Sequence, residues 1–186
     1  MAKKDILERG SSFVAIRKFV QGRFGREGEK ELLSRISAPI NDTYMNATPH
    51  GWYPVSHTKA LLEVVFAMSG EDENAILEIG AIQTREDVKG ILRFLVLFAT
   101  PDQLIKRSTK LWSQHVDQGT VTYEKLESRS CEIVLSGFYN GKLNCLMATG
   151  AVRELTSFSG GKSVEVKEVE CAGEGASACR WKISWT

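Results

Sequence analysis

Apolar positions follow a period near 3.6 as far as about residue 118 and a period near 2 after it, which divides the chain into a helical part and a strand-rich part. Phe13, Val14, Ile16, Phe19 and Val20 form one stripe, with Ser11 or Ser12 placed to cap it, and Leu32, Leu33 and Ile36 form another. The first 38 residues therefore read as two helices, the second closed by Pro39. Prolines, Asn, Thr and Gly between 37 and 54 predict a long ordered loop. Leu61, Leu62, Val64, Val65, Phe66 and Met68 leave almost no polar face, so the helix over 55–70 belongs at the centre. A short helix is expected over 73–82. Thr84 and Asp87 stand in capping positions for a helix reaching residue 99, and Thr100, Pro101 and Gln103 form the N-cap, first position and capping box of the next.

Residues 120–128 and 131–138 alternate as two arms of a hairpin, and 163–171 with 178–185 form a second hairpin. Between them a helix over 141–160 carries Gly150, a sign of close approach to another backbone. The pattern predicts an α+β fold, with a helical N-terminal half packed on a four-stranded antiparallel sheet built as hairpin-helix-hairpin. One domain over 1–186 is expected, mainly helical over 1–118 and ββαββ over 119–186. On the last strand Cys179, Trp181, Ile183 and Trp185 share a face, so Cys179 begins a core-facing row. Val164 and Val166 differ in parity from Val169 and Cys171, and a bulge near Lys167 and Glu168 would bring both pairs onto one face.

Formal net charge is +1, with Lys and Arg spread along the chain, which argues against a nucleic-acid partner. The N-terminus lacks the apolar stretch of a signal peptide and no run is long enough to span a bilayer, so a cytoplasmic protein without membrane insertion is expected. In that compartment Cys131, Cys145, Cys171 and Cys179 are thiols, read as buried hydrophobes, metal ligands or redox groups. Cys171 and Cys179, on the two arms of one hairpin, have a spacing that suits either metal ligation or the filling of a small core gap. No phosphate-binding loop, nucleophile elbow or zinc-protease motif is present, and "SFSGGKS" near residue 160 lacks P-loop spacing, so an enzyme is not expected. His50 and His57 receive no role, and His115 reads as a half-buried histidine at a helix end.

The segments "LWSQHVDQGTVTYEKLES" and "CLMATGAVRELTSFSGGKSVEVKEVEC", with the closing C-x7-C-x-W-x-I-x-W, resemble the 4-vinyl reductase domain family. That family is related in fold to haem nitric-oxide-binding domains and to Bet3-type subunits of the TRAPP tethering complex. Over nearly its whole length the chain also resembles a bacterial paralogous family of similar size. The resemblance implies a structural zinc held by Cys145, Cys171 and Cys179. The family's acidic ligand falls on Val166 here, which leaves Glu168 or Glu165 beside it, or a water, to complete the set; Glu168 is the residue chosen. It further implies a sensory domain that binds a small apolar molecule among Phe66, Phe94, Phe98 and Trp112, forms a homodimer and signals to a separate protein. The same aromatics equally serve a filled core, and the alternative is a dimerising scaffold of the TRAPP type without a ligand. Haem is not expected, because no Tyr-x-Ser-x-Arg triplet follows Tyr123 to grip the propionates.

Overall fold

The computed structural model describes residues 5–89 and 98–186. Its helical half comprises α1 (Ser11–Ser34), α2 (Ala38–Asn46), α3 (Val55–Met68), α4 (Glu73–Asp87) and α5 (Pro101–Lys110). Strands β3 (Thr120–Glu127) and β4 (Ser130–Ser136) follow, then α6 (Lys142–Phe158), β5 (Glu165–Glu170) and β6 (Cys179–Ser184). The four strands form an antiparallel sheet in the order β3-β4-β6-β5, so the inner strands of the two hairpins pair with each other. This is the expected α+β architecture. A second, two-stranded sheet joins β1 (Leu7–Arg9) to β2 (Trp52–Pro54).

Two buried clusters meet across α6. Phe13, Ile16, Leu61, Leu62, Ile76 and Ile79 pack among the helices and receive Met147 from α6. Ile105, Cys131, Ile133, Trp181 and Ile183 pack on the sheet and receive Cys145 from the same helix. What lets α6 serve both is its contact with α4. A Cβ at Gly150 would overlap the Leu77 carbonyl oxygen, and one at Gly80 would overlap the carbonyl of Met147, so the two backbones touch where side chains normally intervene. The close approach expected at Gly150 is thus made against α4.

Several local expectations differ from the structure. The two helices of the N-terminal stretch are one element broken at Gly25, whose φ of 64° suits glycine. The predicted loop over 37–54 contains α2 and β2, because Pro39 opens a helix instead of closing one; its fixed φ suits a first turn. Thr84 and Asp87 lie inside α4, which is capped by Asp72 through the Asn74 amide. The remainder of the helix predicted to residue 99 falls mostly outside the described residues. The capping box of Thr100 and Gln103 is formed as expected. On β5 the register shift lies between Glu168 and Glu170, so Glu168 keeps the inward parity of Val166 while Val169 turns out to solvent.

If backbone contact sets the α4–α6 spacing, Gly150→Ala and Gly80→Ala should each lower unfolding free energy by about 3 kcal/mol, the upper part of the range for overpacking. Gly22→Ala, in a helical stretch with open space around it, should be neutral or stabilising by up to about 1 kcal/mol. Urea denaturation of the three variants beside the parent measures the contrast.

Candidate functional site

Cys145 sits in the first turns of α6, Glu168 on β5, Cys171 just beyond that strand and Cys179 at the start of β6. One ligand atom from each of the four lies within 4.8 Å of all the others. Strand pairing explains half of this. Glu168 is opposite Trp181, an inward position, and the bulge after it turns Cys171 inward beside Cys179. Thr149 supplies the rest by tying α6 to the sheet: its hydroxyl donates to the Cys145 carbonyl (2.9 Å) and accepts from Trp181 Nε1 (3.0 Å).

The three thiols are buried. Cys145 and Cys179 sulfurs lie 3.8 Å apart, and the Ala172 amide donates to Cys179 Sγ at 3.4 Å. Desolvation, followed by the nearby Glu168 carboxylate, raises the Cys145 thiol well above its ordinary range, and desolvation raises Cys171 as well. Glu168 Oε1 is buried with no hydrogen-bond partner, while its other oxygen faces Lys142 Nζ at 3.6 Å. A carboxylate oxygen left unpaired beside three crowded thiols is costly unless a cation satisfies it. Three sulfurs and one carboxylate suit a tetrahedral zinc.

Against this cluster lies a cavity of about 270 Å³ between the helical half and the sheet. Cys145 and Cys179 belong to its wall as well. Its apolar surface includes Leu111, Trp112, Phe138, Met147, Val152 and Trp181, and Trp112 meets Phe138 edge to face at 5.6 Å. A polar stretch of the wall carries Glu8, Asp87 and His115. His115 follows the short turn Trp112–Gln114 after α5 and is half-buried. The N-terminal strand holds this segment: Arg9 N donates to the His115 carbonyl at 2.8 Å, Glu8 bridges Val116, and Leu7 exchanges bonds with Asp117.

The structure therefore brings together Cys145, Glu168, Cys171 and Cys179. Cys131 stands apart from them in the sheet core, its thiol pushed up to about 12 by burial. Of the aromatics proposed around a ligand, Trp112 lines the cavity. Phe66 instead packs against the helical cluster, Phe98 is 86% exposed, and Phe94 lies outside the described residues. Glu8 and His115 were not assigned to a site in the sequence. A three-residue strand leaves no periodicity to read, and His115, with no propionate triplet after Tyr123, reads as a histidine at a helix end.

No family model matches the chain, and no curated protein matches it in sequence. Solved structures do match in fold. An H-NOX protein from S. oneidensis in the Fe(II)NO ligation state superposes with a TM-score of 0.75 at 13% identity, covering 96% of this chain and 99% of that one. The Fe(II) unliganded H-NOX protein from K. algicida gives 0.70 at 12% identity, covering 96% of each chain. An oxygen-binding H-NOX domain related to soluble guanylate cyclases gives 0.69 at 13%, covering 96% and 95%. The chain shares the fold of these H-NOX domains. The 4-vinyl reductase resemblance is thereby supported only at the level of a related fold.

These neighbours overturn the expectation that haem is absent from this protein's chemistry. They span the chain almost end to end, and another of them was used to modulate haem redox potential through protein-induced porphyrin distortion. The exclusion rested on a missing propionate motif, which says nothing of the side chain that would hold the iron. Here His115 presents an imidazole in the wall of an apolar cavity, a donor set that fits haem iron.

Glu8 offers a direct check of the polar end. Burial raises its carboxyl to about 7 from an ordinary 4.5, so the folded chain keeps a proton that the unfolded chain releases as pH rises between those values. Stability is lost across that window, by up to about 3 kcal/mol above it. Glu8→Gln should remove the loss: relative to the parent, the variant should gain about 2–3 kcal/mol between pH 4 and pH 8 in urea titrations.

Proposed function

We propose that this chain is a non-enzymatic sensory domain whose receiving site is the cavity between the helices and the sheet. A structural zinc at Cys145, Glu168, Cys171 and Cys179 would lock the last hairpin to α6. One observation carries this reading: Cys145 and Cys179 belong both to the four-residue cluster and to the cavity wall. An occupant of the cavity would rest on the side chains that close the sheet, which gives ligand binding a mechanical route to the surface and to a separate signalling protein. The neighbours of the same fold support it, since one is described as oxygen-binding and one as carrying an Fe(II)NO centre.

Haem is the first occupant to consider. His115 would hold the group through its iron, Trp112, Phe138 and Trp181 would lie against it, and it would supply a centre able to bind a diatomic gas. The chain's own part is to hold the His115 backbone through the Arg9–His115 bond and to keep water from the apolar wall. The zinc would act without chemistry, by lending its binding free energy to the fold.

Two measurements test the reading together. Elemental analysis of untagged protein should find roughly one zinc per chain, lost in Cys145→Ser along with several kcal/mol of stability. Haemin titration should give a Soret band that weakens or shifts in His115→Ala. A metal-free parent with Cys145→Ser as stable as itself would discard the zinc. If neither haemin nor any small apolar probe bound, the cavity would cease to be a receiving site.

A further inference from the structure

Cys171 is bracketed by two acidic residues that answer to one cation. Glu168 lies three positions before it on β5, and Glu174 three positions after it, at the end of the turn Ala172–Glu174. Lys142 Nζ stands 3.6 Å from Glu168 Oε2 and 2.9 Å from Glu174 Oε1. Lys142 opens α6 three residues ahead of Cys145, a spacing that makes the two neighbours on the helix surface. The Glu174 amide donates in turn to the Cys171 carbonyl at 2.9 Å. One lysine therefore joins α6 to the strand before Cys171 and to the turn after it.

The two oxygens of Glu168 have unequal surroundings. Oε2 faces the ammonium, whereas Oε1 is buried and has no partner. A carboxylate pinned at one oxygen offers the other singly, as one corner of a tetrahedral set requires. Charge points the same way. Three thiolates and a carboxylate carry twice the charge that a divalent cation cancels, in a site whose thiols are buried and whose glutamate side chain is only 13% exposed. An ammonium has donors and no acceptor, so it steadies the carboxylate from the rim without competing as a ligand. Its own side chain is 49% exposed, and removing it empties no core space.

We propose that Lys142 is the positioning residue of the four-residue metal site: it holds the Glu168 carboxylate by one oxygen and leaves the other to the metal. Lys142 touches no metal itself and acts through Glu168. The inference rests on the zinc reading of the cluster and adds the group that sets the affinity of that site. Glu174 is a lesser partner, since its side chain is 68% exposed and an ion pair in solvent contributes little.

Zinc dissociation constants of the full chain, measured by competition with a chromophoric chelator, test it. Lys142→Met should raise the constant about tenfold, the lower figure for removing a group that supports a metal ligand. Lys142→Arg, which keeps the charge, should restore most of the affinity, and Glu174→Gln should stay near the parent. In a Glu168→Gln background Lys142→Met should cost much less, because the lysine then has no carboxylate to hold. Metal-free Lys142→Met should unfold at the same urea midpoint as the metal-free parent, which separates a lost support of the metal from a lost support of the fold. Parent affinity in Lys142→Met would overturn the role, as would a loss that Lys142→Arg does not restore, that is equally large beside Glu168→Gln, or that a lowered metal-free midpoint accounts for. Those outcomes remove the lysine and leave the metal site standing. A parent chain that binds no zinc would bring down the site and the role together.

Discussion

Backbone contact between α4 and α6 is the constraint on which the rest of the molecule depends. With no Cβ at Gly80 or Gly150, α6 comes down onto α4 at the distance of main-chain atoms, and its other side is left to face the sheet. Cys145 lies five residues before Gly150, roughly 7.5 Å along the axis. The glycine contact therefore sets the height at which that thiol meets the hairpin. Thr149 fixes the rotation of the helix at the same point, through its bonds to the Cys145 carbonyl and to Trp181. Helix spacing, sheet docking and the four-residue cluster are consequences of one crossing.

The cavity is what this arrangement leaves open. Where α4 and α6 touch, their backbones leave no space between them; beside that contact lies the cavity, walled by Trp112, Phe138 and the N-terminal strand. The wall is accordingly made of parts with different origins. Rigid elements supply the apolar face, and a three-residue strand tied to the His115 segment supplies the polar end.

Legibility in the sequence follows the range of each interaction. The capping box at Thr100 and the inward row of Cys179, Trp181 and Ile183 depend on neighbours a few residues away, and both are formed as read. Gly150 was legible as a close approach, although its partner, α4, was not, because nothing local names the far side of a contact. Cys171 and Cys179 stood out by their places on the two arms of one hairpin, Cys145 through the family resemblance, and Glu168 as a neighbour of Val166, where the family's acidic ligand falls. Phe66 and Phe98 could not be placed, since an aromatic at helical spacing looks the same against a core, a cavity or solvent. The α2 and β2 elements were hidden in a stretch whose prolines and asparagines punctuate a loop and start a helix equally well. Glu8 depended on a pairing with Val116 more than a hundred residues away.

The order β3-β4-β6-β5 has a kinetic corollary. Each hairpin closes a short stretch of chain, but the β4–β6 ladder at the middle of the sheet joins residues 44 to 54 positions apart, with α6 in between. Closure of that long loop carries the larger entropic cost, so it follows the docking of α6 instead of preceding it. The sheet is thus assembled from its edges inward. Its central seam is the late step of folding, whereas Cys145, Glu168, Cys171 and Cys179 meet where α6 docks on the β5–β6 hairpin, before that seam closes.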